Sequence, residues 1–242
     1  MHNISLGSFY GMDSFFDLLI GIVALFIAHQ SHKIYRLIKE RNYKFFSLAF
    51  LTIGIAFMLK IVSNITIIHR VIIQRSNFII TLTSELEQMQ IVNFVSFILF
   101  KILLLVGFLI LFLITTKTKD KEKIFLFFYL AFLSILFSIY FNFIFHLTIT
   151  ILLIFLCIYF HKNYEKKKTR SRHHTLIAFY FILAGHIIDI FYSIISSLYI
   201  LGETLLLIGF IILLFNHIQV KNEPKKNKAR GDSGPLRNTK KK

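Results

Sequence analysis

Long apolar runs, separated by short polar and basic clusters, dominate the pattern of this chain. A run of about 18 or more apolar residues is long enough to cross the hydrocarbon core of a bilayer as a helix. Seven runs qualify as candidate spans, at residues 12–31, 44–68, 91–115, 124–141, 144–161, 175–196 and 201–219. The pattern predicts an all-α polytopic membrane protein, with a seven-transmembrane helix bundle over residues 1–220.

Two details of the pattern set the number of spans. The apolar stretch from Ile124 to Phe160 is too long for one helix, and we place the turn between its two helices at Asn142. No lysine or arginine precedes the first run, so we expect a retained helix and not a cleaved secretory signal. Between spans two and three, residues 69–90 mix apolar, Arg and Glu side chains, which predicts a short helix lying at the outer interface.

Composition supports a membrane class. Hydrophobic residues make up 56% of the 242, with a mean hydropathy of +0.69, which is not typical of a soluble domain. The single cysteine, Cys157, lies inside an apolar run, and we interpret it as a packing residue.

The basic residues predict the orientation of the bundle. Of the 28 Lys and Arg, five lie in segment 32–44, four in 117–123, six in 161–174 and nine in 221–242. Seven alternating spans bring all four segments to one side, which the positive-inside rule assigns to the cytoplasm. We therefore predict a protein of the cell membrane with its N-terminus outside and its C-terminus cytoplasmic.

The net charge of +16 is explained by this distribution. Because the topology accounts for these basic residues, we do not expect nucleic acid as a partner. The anionic inner face of the lipid bilayer attracts the basic residues. Segment 221–242 is basic and poor in apolar residues, so we predict a disordered cytoplasmic tail. The candidate residues for binding anionic lipid or a cytoplasmic protein partner are Lys166, Lys167, Lys168, Arg170 and Arg172.

Seven ionisable side chains inside the predicted spans qualify as site candidates. Such groups are costly in a bilayer, usually face the bundle interior and mark functional sites. Estimated from a helical rise of about 1.5 Å per residue, all of them fall between the midplane and the outer face. His186 and Asp189 are three residues apart and share a helix face. The candidate ligand-binding residues are Asp17, Lys60, Lys101, His146, His186, Asp189 and Glu203.

Three interpretations of these groups stay open. They form a structural ion-pair network between helices, or an outward-opening polar pocket for a small ligand, ion or proton, with Asn64 and Asn93 as additional donors. In the third interpretation Lys60 or Glu203 extends to the membrane surface. His146, His186, Asp189 and Glu203 are suitable metal ligands, but two neighbouring lysines oppose a divalent cation, so we predict no metal and no cofactor.

Known catalytic patterns are missing from the sequence. The last span has no lysine for a retinal Schiff base and no HxxxH pair, the chain has no HExxH motif, and no GxSG motif lies within a predicted span. We therefore predict a protein that is not an enzyme. Transporters commonly show repeats or broken spans, and neither is evident.

Three segments resemble parts of known membrane proteins. YRLIKERNYKFFSLAFLTIGIAFMLK, residues 35–60, resembles the second-helix region of seven-helix membrane sensor modules of histidine kinases and cyclases. AGHIIDIFY and LGETLLLIGFIILL, followed by a basic tail, are similar to small archaeal seven-helix membrane proteins. The resemblance implies a stand-alone sensor or small-ligand-binding protein whose output comes from a separate partner. A small transporter or proton-coupled carrier that uses His186 and Asp189 as a relay is an alternative, and a structural or assembly protein is another.

Overall fold

A computed structural model of the chain describes the backbone of residues 9–75, 83–118, 120–191 and 198–231. Within these ranges every regular element is an α-helix. Side chains are described for residues 14–66, 90–118, 120–191 and 198–219. The helices are α1 (Phe9–Ile38), α2 (Arg41–Arg75), α3 (Thr83–Thr116), α4 (Lys121–Ser138), α5 (Asn142–Lys166), α6 (Arg170–Phe191) and α7 (Leu198–Gly231).

The prediction of an all-helical, membrane-type bundle is confirmed. Six of the seven described helices are long and apolar enough to cross a membrane, α4 being the exception. That helix has only 18 residues, and three charged side chains, Lys121, Glu122 and Lys123, occupy its first turn. The count of seven spans and the orientation stay predictions.

Six helices form a closed ring, and the seventh lies outside it. Neighbours around the ring are α1, α2, α3, α5, α6 and α7, with α7 packing back against α1. The remaining helix, α4, packs against α3 and α5 from outside. Large side chains such as Phe50, Phe57, Phe108 and Phe210 fill the interior, each 2% exposed or less. Many outward-facing side chains are also apolar, as expected of a surface that faces lipid.

Glycines allow close approach of the ring helices, as small residues commonly do in membrane bundles. A Cβ atom at Gly107 of α3 would lie 2.5 Å from Ile53 Cγ1 of α2. A Cβ at Gly209 of α7 would lie 2.8 Å from the backbone oxygen of Ala178 in α6. Larger residues at either position would force the paired helices apart.

Several helix ends differ from the sequence predictions. The prediction of a separate interfacial helix over 69–90 is wrong for the described residues, because α2 continues to Arg75 and α3 already begins at Thr83. The last helix, α7, continues to Gly231, and the disordered tail over residues 221–242 stays a prediction. Extending an existing helix needs no new nucleus, so polar residues at its end can follow it. Residues 76–82 and 232–242 lie outside the described part.

The turn between the fourth and fifth helices lies just before the predicted position. Residues 139–141 make this connection, and Asn142 is the first residue of α5. The shared apolar stretch is therefore divided into two helices, as its length predicts.

Candidate functional site

The two ends of the bundle differ in chemistry. We call the end with the α1–α2, α3–α4 and α5–α6 connections (residues 39–40, 117–120 and 167–169) the basic end. The opposite end, where α2, α4 and α6 finish, is the cavity end. A cavity of about 420 Å³ opens there between α2, α3, α5, α6 and α7. Among the described residues, its lysine, histidine and carboxylate lining residues are Lys60, Lys101, His146, His186, Asp189 and Glu203.

Lys60 is the centre of an ion triad with Asp17 and Glu203. Its Nζ lies 2.8 Å from Asp17 Oδ1 and 2.6 Å from Glu203 Oε1, so one ammonium joins α2 to α1 and α7. The two carboxylate side chains are 0% and 2% exposed, and the lysine side chain is 14% exposed. This pairing supplies the neutralisation that buried charges need.

Amides and hydroxyls extend the triad along α2. Asn64 Nδ2 donates to Asp17 Oδ2 over 3.1 Å. The adjacent residue, Ser63, donates a short hydrogen bond to Asn93 Oδ1 of α3. Both asparagines line the cavity, in agreement with the donors proposed from the sequence, although Asn93 accepts this bond.

Lys101 has a different environment from Lys60. Its side chain is 2% exposed, and its Nζ donates to the carbonyl oxygen of Ser138 over 3.0 Å and to the Ser138 hydroxyl over 3.3 Å. Among the described residues no carboxylate lies within ion-pair distance of this ammonium. Ser138 ends α4, where unsatisfied carbonyls and the helix dipole favour a cation. Lys101 also lies 4.2 Å from the Phe97 ring centroid.

His146, His186 and Asp189 form a third group, which we call the His–Asp cluster. Nδ1 of His146, on α5, lies 3.6 Å from Asp189 Oδ2, and Nδ1 of His186 lies 3.7 Å from the same oxygen. One potential ligand atom from each of the three residues falls within 4.8 Å of the others. Both Nδ1 atoms are buried without a hydrogen-bond partner in the described part of the chain.

Glycine and aromatic residues fix the position of the His–Asp cluster. The Phe108 ring meets the His186 ring edge to face, with centroids 5.9 Å apart. Gly202 of α7 leaves room for the Asp189 carboxylate, because a Cβ at Gly202 would lie 2.5 Å from Asp189 Oδ1. The cluster is therefore enclosed by α3, α5, α6 and α7.

All seven candidate ligand-binding residues lie at the cavity end. Six line the cavity, and Asp17 lies behind Lys60 in the triad. Lys60 and Glu203 pair with each other, so extension to the membrane surface does not describe them. Whether the seven residues bind a ligand stays a prediction.

The five candidate lipid- or partner-binding residues cluster at the basic end. Lys166, Lys167, Lys168 and Arg170 are exposed around the α5–α6 connection. Arg172 is half-buried and donates to the Asn163 carbonyl oxygen over 2.7 Å, which closes that connection. The charged groups of the other four residues are therefore accessible at the surface of the basic end.

Sequence reasoning missed part of the site. Ser138 and the aromatic lining residues Phe97, Phe100 and Phe145 had no distinguishing signal, because serine and phenylalanine are common throughout the spans. Tyr199 offered a weak one, since it lies one helical turn before Glu203.

Comparisons with family models, with curated proteins and with solved structures found no match to the chain.

Proposed function

We propose that this chain is a seven-span protein of the cell membrane that binds a small ligand from the outside and acts as a stand-alone sensor. The orientation has the basic end in the cytoplasm and the cavity end outside. The four basic segments lie at the basic end or follow α7 from it, in agreement with the positive-inside rule. The exposed lysines of the α5–α6 connection then face anionic lipid or a cytoplasmic partner.

The contacts of α4 support its role as a seventh span. Near the basic end the Phe112 ring of α3 lies 5.1 Å from the Phe127 ring of α4. Lys101, eleven residues before Phe112 in α3, donates to Ser138, eleven residues after Phe127 in α4. The two helices are therefore antiparallel and share about 16 Å of depth between these contacts.

Charge placement supports the same conclusion. If α4 returned to the side on which it began, segments 161–174 and 221–242 would lie opposite segment 32–44. That arrangement would divide the basic residues between the two faces of the membrane, against the positive-inside rule. The 18 residues of α4 span about 27 Å, close to the thickness of the hydrocarbon core.

The cavity carries the ligand-binding proposal. A volume of about 420 Å³, with aromatic walls and a few convergent polar groups, is typical of a small-molecule site. Among the described residues, three carboxylates, those of Asp17, Asp189 and Glu203, lie in or next to the cavity with two ammonium groups. With neutral imidazoles the site has a net negative charge, so a ligand that carries positive charge completes it.

The test is a melting curve of the detergent-purified protein with a panel of inorganic cations, amines and zwitterionic amino acids. A binding ligand raises the melting temperature of the wild type. The effect should disappear in Asp189→Asn and His186→Gln and persist in Lys33→Met, which changes an exposed residue at the basic end. Flux of the stabilising compound into proteoliposomes would indicate a carrier. No shift with any compound would overturn the binding proposal.

A further inference from the structure

We propose that the His–Asp cluster is a site for one divalent transition-metal ion of the zinc type. This inference rests on the proposed function, because it names the ligand that the same cavity takes. The cluster supplies two imidazoles and one carboxylate as donors. Imidazole nitrogen and carboxylate oxygen are common protein ligands for zinc, and three protein ligands with one open position form an exchangeable site.

Distances within the cluster fit a metal better than they fit a hydrogen bond. The two Nδ1 to Oδ2 separations are 3.6 and 3.7 Å, beyond the usual range for an N–H···O bond. A bridging water would need its two partners roughly 4.5 Å apart. Two ligands of a tetrahedral zinc ion lie about 3.4 Å apart, so side-chain shifts of a few tenths of an ångström would complete those two pairs.

Charge around the cluster permits a divalent cation. The sequence places two lysines near the three ligands, which argues against a metal. In the structure, however, the Lys60 charge is neutralised by two carboxylates, and the Lys101 ammonium donates to the C-terminal end of α4. The Asp189 carboxylate therefore faces two imidazoles, and a metal ion between them would give both buried Nδ1 atoms a partner.

The cluster is accessible from the cavity and is supported by a glycine of α7. All three residues line the cavity, so a fourth coordination position can face it and exchange ligands with the outside. Gly202 positions the site from behind, because any side chain there would collide with the Asp189 carboxylate. Gly209, further along the same α6–α7 interface, provides a matched packing position away from the cluster.

The experiment measures Zn²⁺ and Co²⁺ binding to full-length protein that has been stripped of metal with a chelator. We expect one ion per chain by calorimetry and elemental analysis, with the visible absorption of tetrahedral Co²⁺, and no comparable binding of Mg²⁺. His146→Gln, His186→Gln and Asp189→Asn should each weaken binding by at least about 100-fold. His146→Cys should retain the ion, because thiolate is also a zinc ligand. His161→Gln, at an exposed position at the basic end, should bind as the wild type does.

The outcomes separate this inference from the proposed function. Gly202→Ala should weaken Co²⁺ binding by about tenfold or more, whereas Gly209→Ala, which disturbs the same helix pair, should not. Absence of stoichiometric binding, or full binding by the His146→Gln/His186→Gln double variant, would overturn the metal site. If the stripped wild type is still stabilised by an organic compound and Asp189→Asn is not, only the metal inference fails. If neither metal nor compound binds, both fail.

Discussion

Two polar groups border one cavity and differ in the distances between their charged or ionisable atoms. In the ion triad, Lys60 reaches two carboxylates at 2.6 and 2.8 Å, which are distances of strong charge-assisted bonds. In the His–Asp cluster, two imidazoles approach one carboxylate oxygen only to 3.6 and 3.7 Å. Both groups are mostly buried and lie toward the cavity end of the bundle.

The difference separates structure from binding. A buried ion whose partners are in contact already has its charge compensated, and it joins the helices that supply those partners. Imidazole nitrogens that lie close to a carboxylate without bonding to it gain a partner from an occupant. Polar residues at equal depth in a bundle can therefore have different roles, and their mutual distances distinguish them.

Breaking the triad should have the largest effect. Lys60→Met leaves Asp17 and Glu203 buried without their cation, and removing one partner of a buried ion pair costs about 3–5 kcal/mol. We expect a loss of that size in the free energy of unfolding, measured by denaturant titration in detergent micelles. A triple variant, Lys60→Met with Asp17→Asn and Glu203→Gln, should recover most of it. A stability loss below about 1 kcal/mol in Lys60→Met would show that the triad does not hold the helices.

Asp189→Asn should sharpen the contrast, because it affects ligand response more than intrinsic stability. At a Zn²⁺ concentration 100 times the dissociation constant, the wild type should gain about 2.7 kcal/mol in unfolding free energy. The variant should gain about 0.4 kcal/mol or less, because binding weakened 100-fold leaves it half saturated at that concentration. Its metal-free stability should fall by less than that of Lys60→Met, because Asn keeps the size and one oxygen acceptor of the Asp side chain. A metal-free loss comparable to that of Lys60→Met would instead make the cluster a structural pair.

Lys101 tests an intermediate case. Lys101→Met removes the bonds to the carbonyl and hydroxyl of Ser138, and a hydrogen bond to a charged group contributes about 1.5–3 kcal/mol. We expect a loss in the unfolding free energy at the lower end of that range, because removing the ammonium also removes the cost of burying it. Ser138→Ala keeps the carbonyl acceptor and should lose less. If Lys101→Met were as costly as Lys60→Met, the ammonium would need a carboxylate partner.

Much of the fold and part of the site could be predicted from the sequence. Apolar runs of sufficient length define helices in lipid, because a bilayer offers backbone groups no other partner. The ionisable residues within those runs were identified for a related reason, since burial is costly unless they converge. Asp17, Lys60 and Glu203 converge as charge complementarity predicts.

The pairing itself could not be predicted. It depends on which helices are neighbours, and the sequence contains no information on the ring order or on the outer position of α4. The second ammonium shows this clearly, since Lys101 donates to a backbone carbonyl and not to a carboxylate. For the same reason the sequence predicted that the two lysines oppose a metal at His146, His186 and Asp189. In the structure each lysine has other partners.

The smallest effect should come from the exposed ion pair at the basic end. Asp120 Oδ2 lies 3.3 Å from Lys123 Nζ, with side chains 45% and 68% exposed. The hydrogen bond from Lys123 holds the pKa of Asp120 below its ordinary value, so its contribution is present at neutral pH and is lost as the pH falls through the folded-state pKa. Asp120 also caps α4 by accepting a hydrogen bond from the Glu122 backbone N–H. Asn caps about as well as Asp, and exposed ion pairs contribute little. We therefore expect Asp120→Asn to leave the melting temperature at pH 7 unchanged and Asp120→Ala to lower it slightly. If Asp120→Asn lowered stability as much as Lys60→Met does, burial would not explain the difference in strength between the ion pairs at the two ends of the bundle.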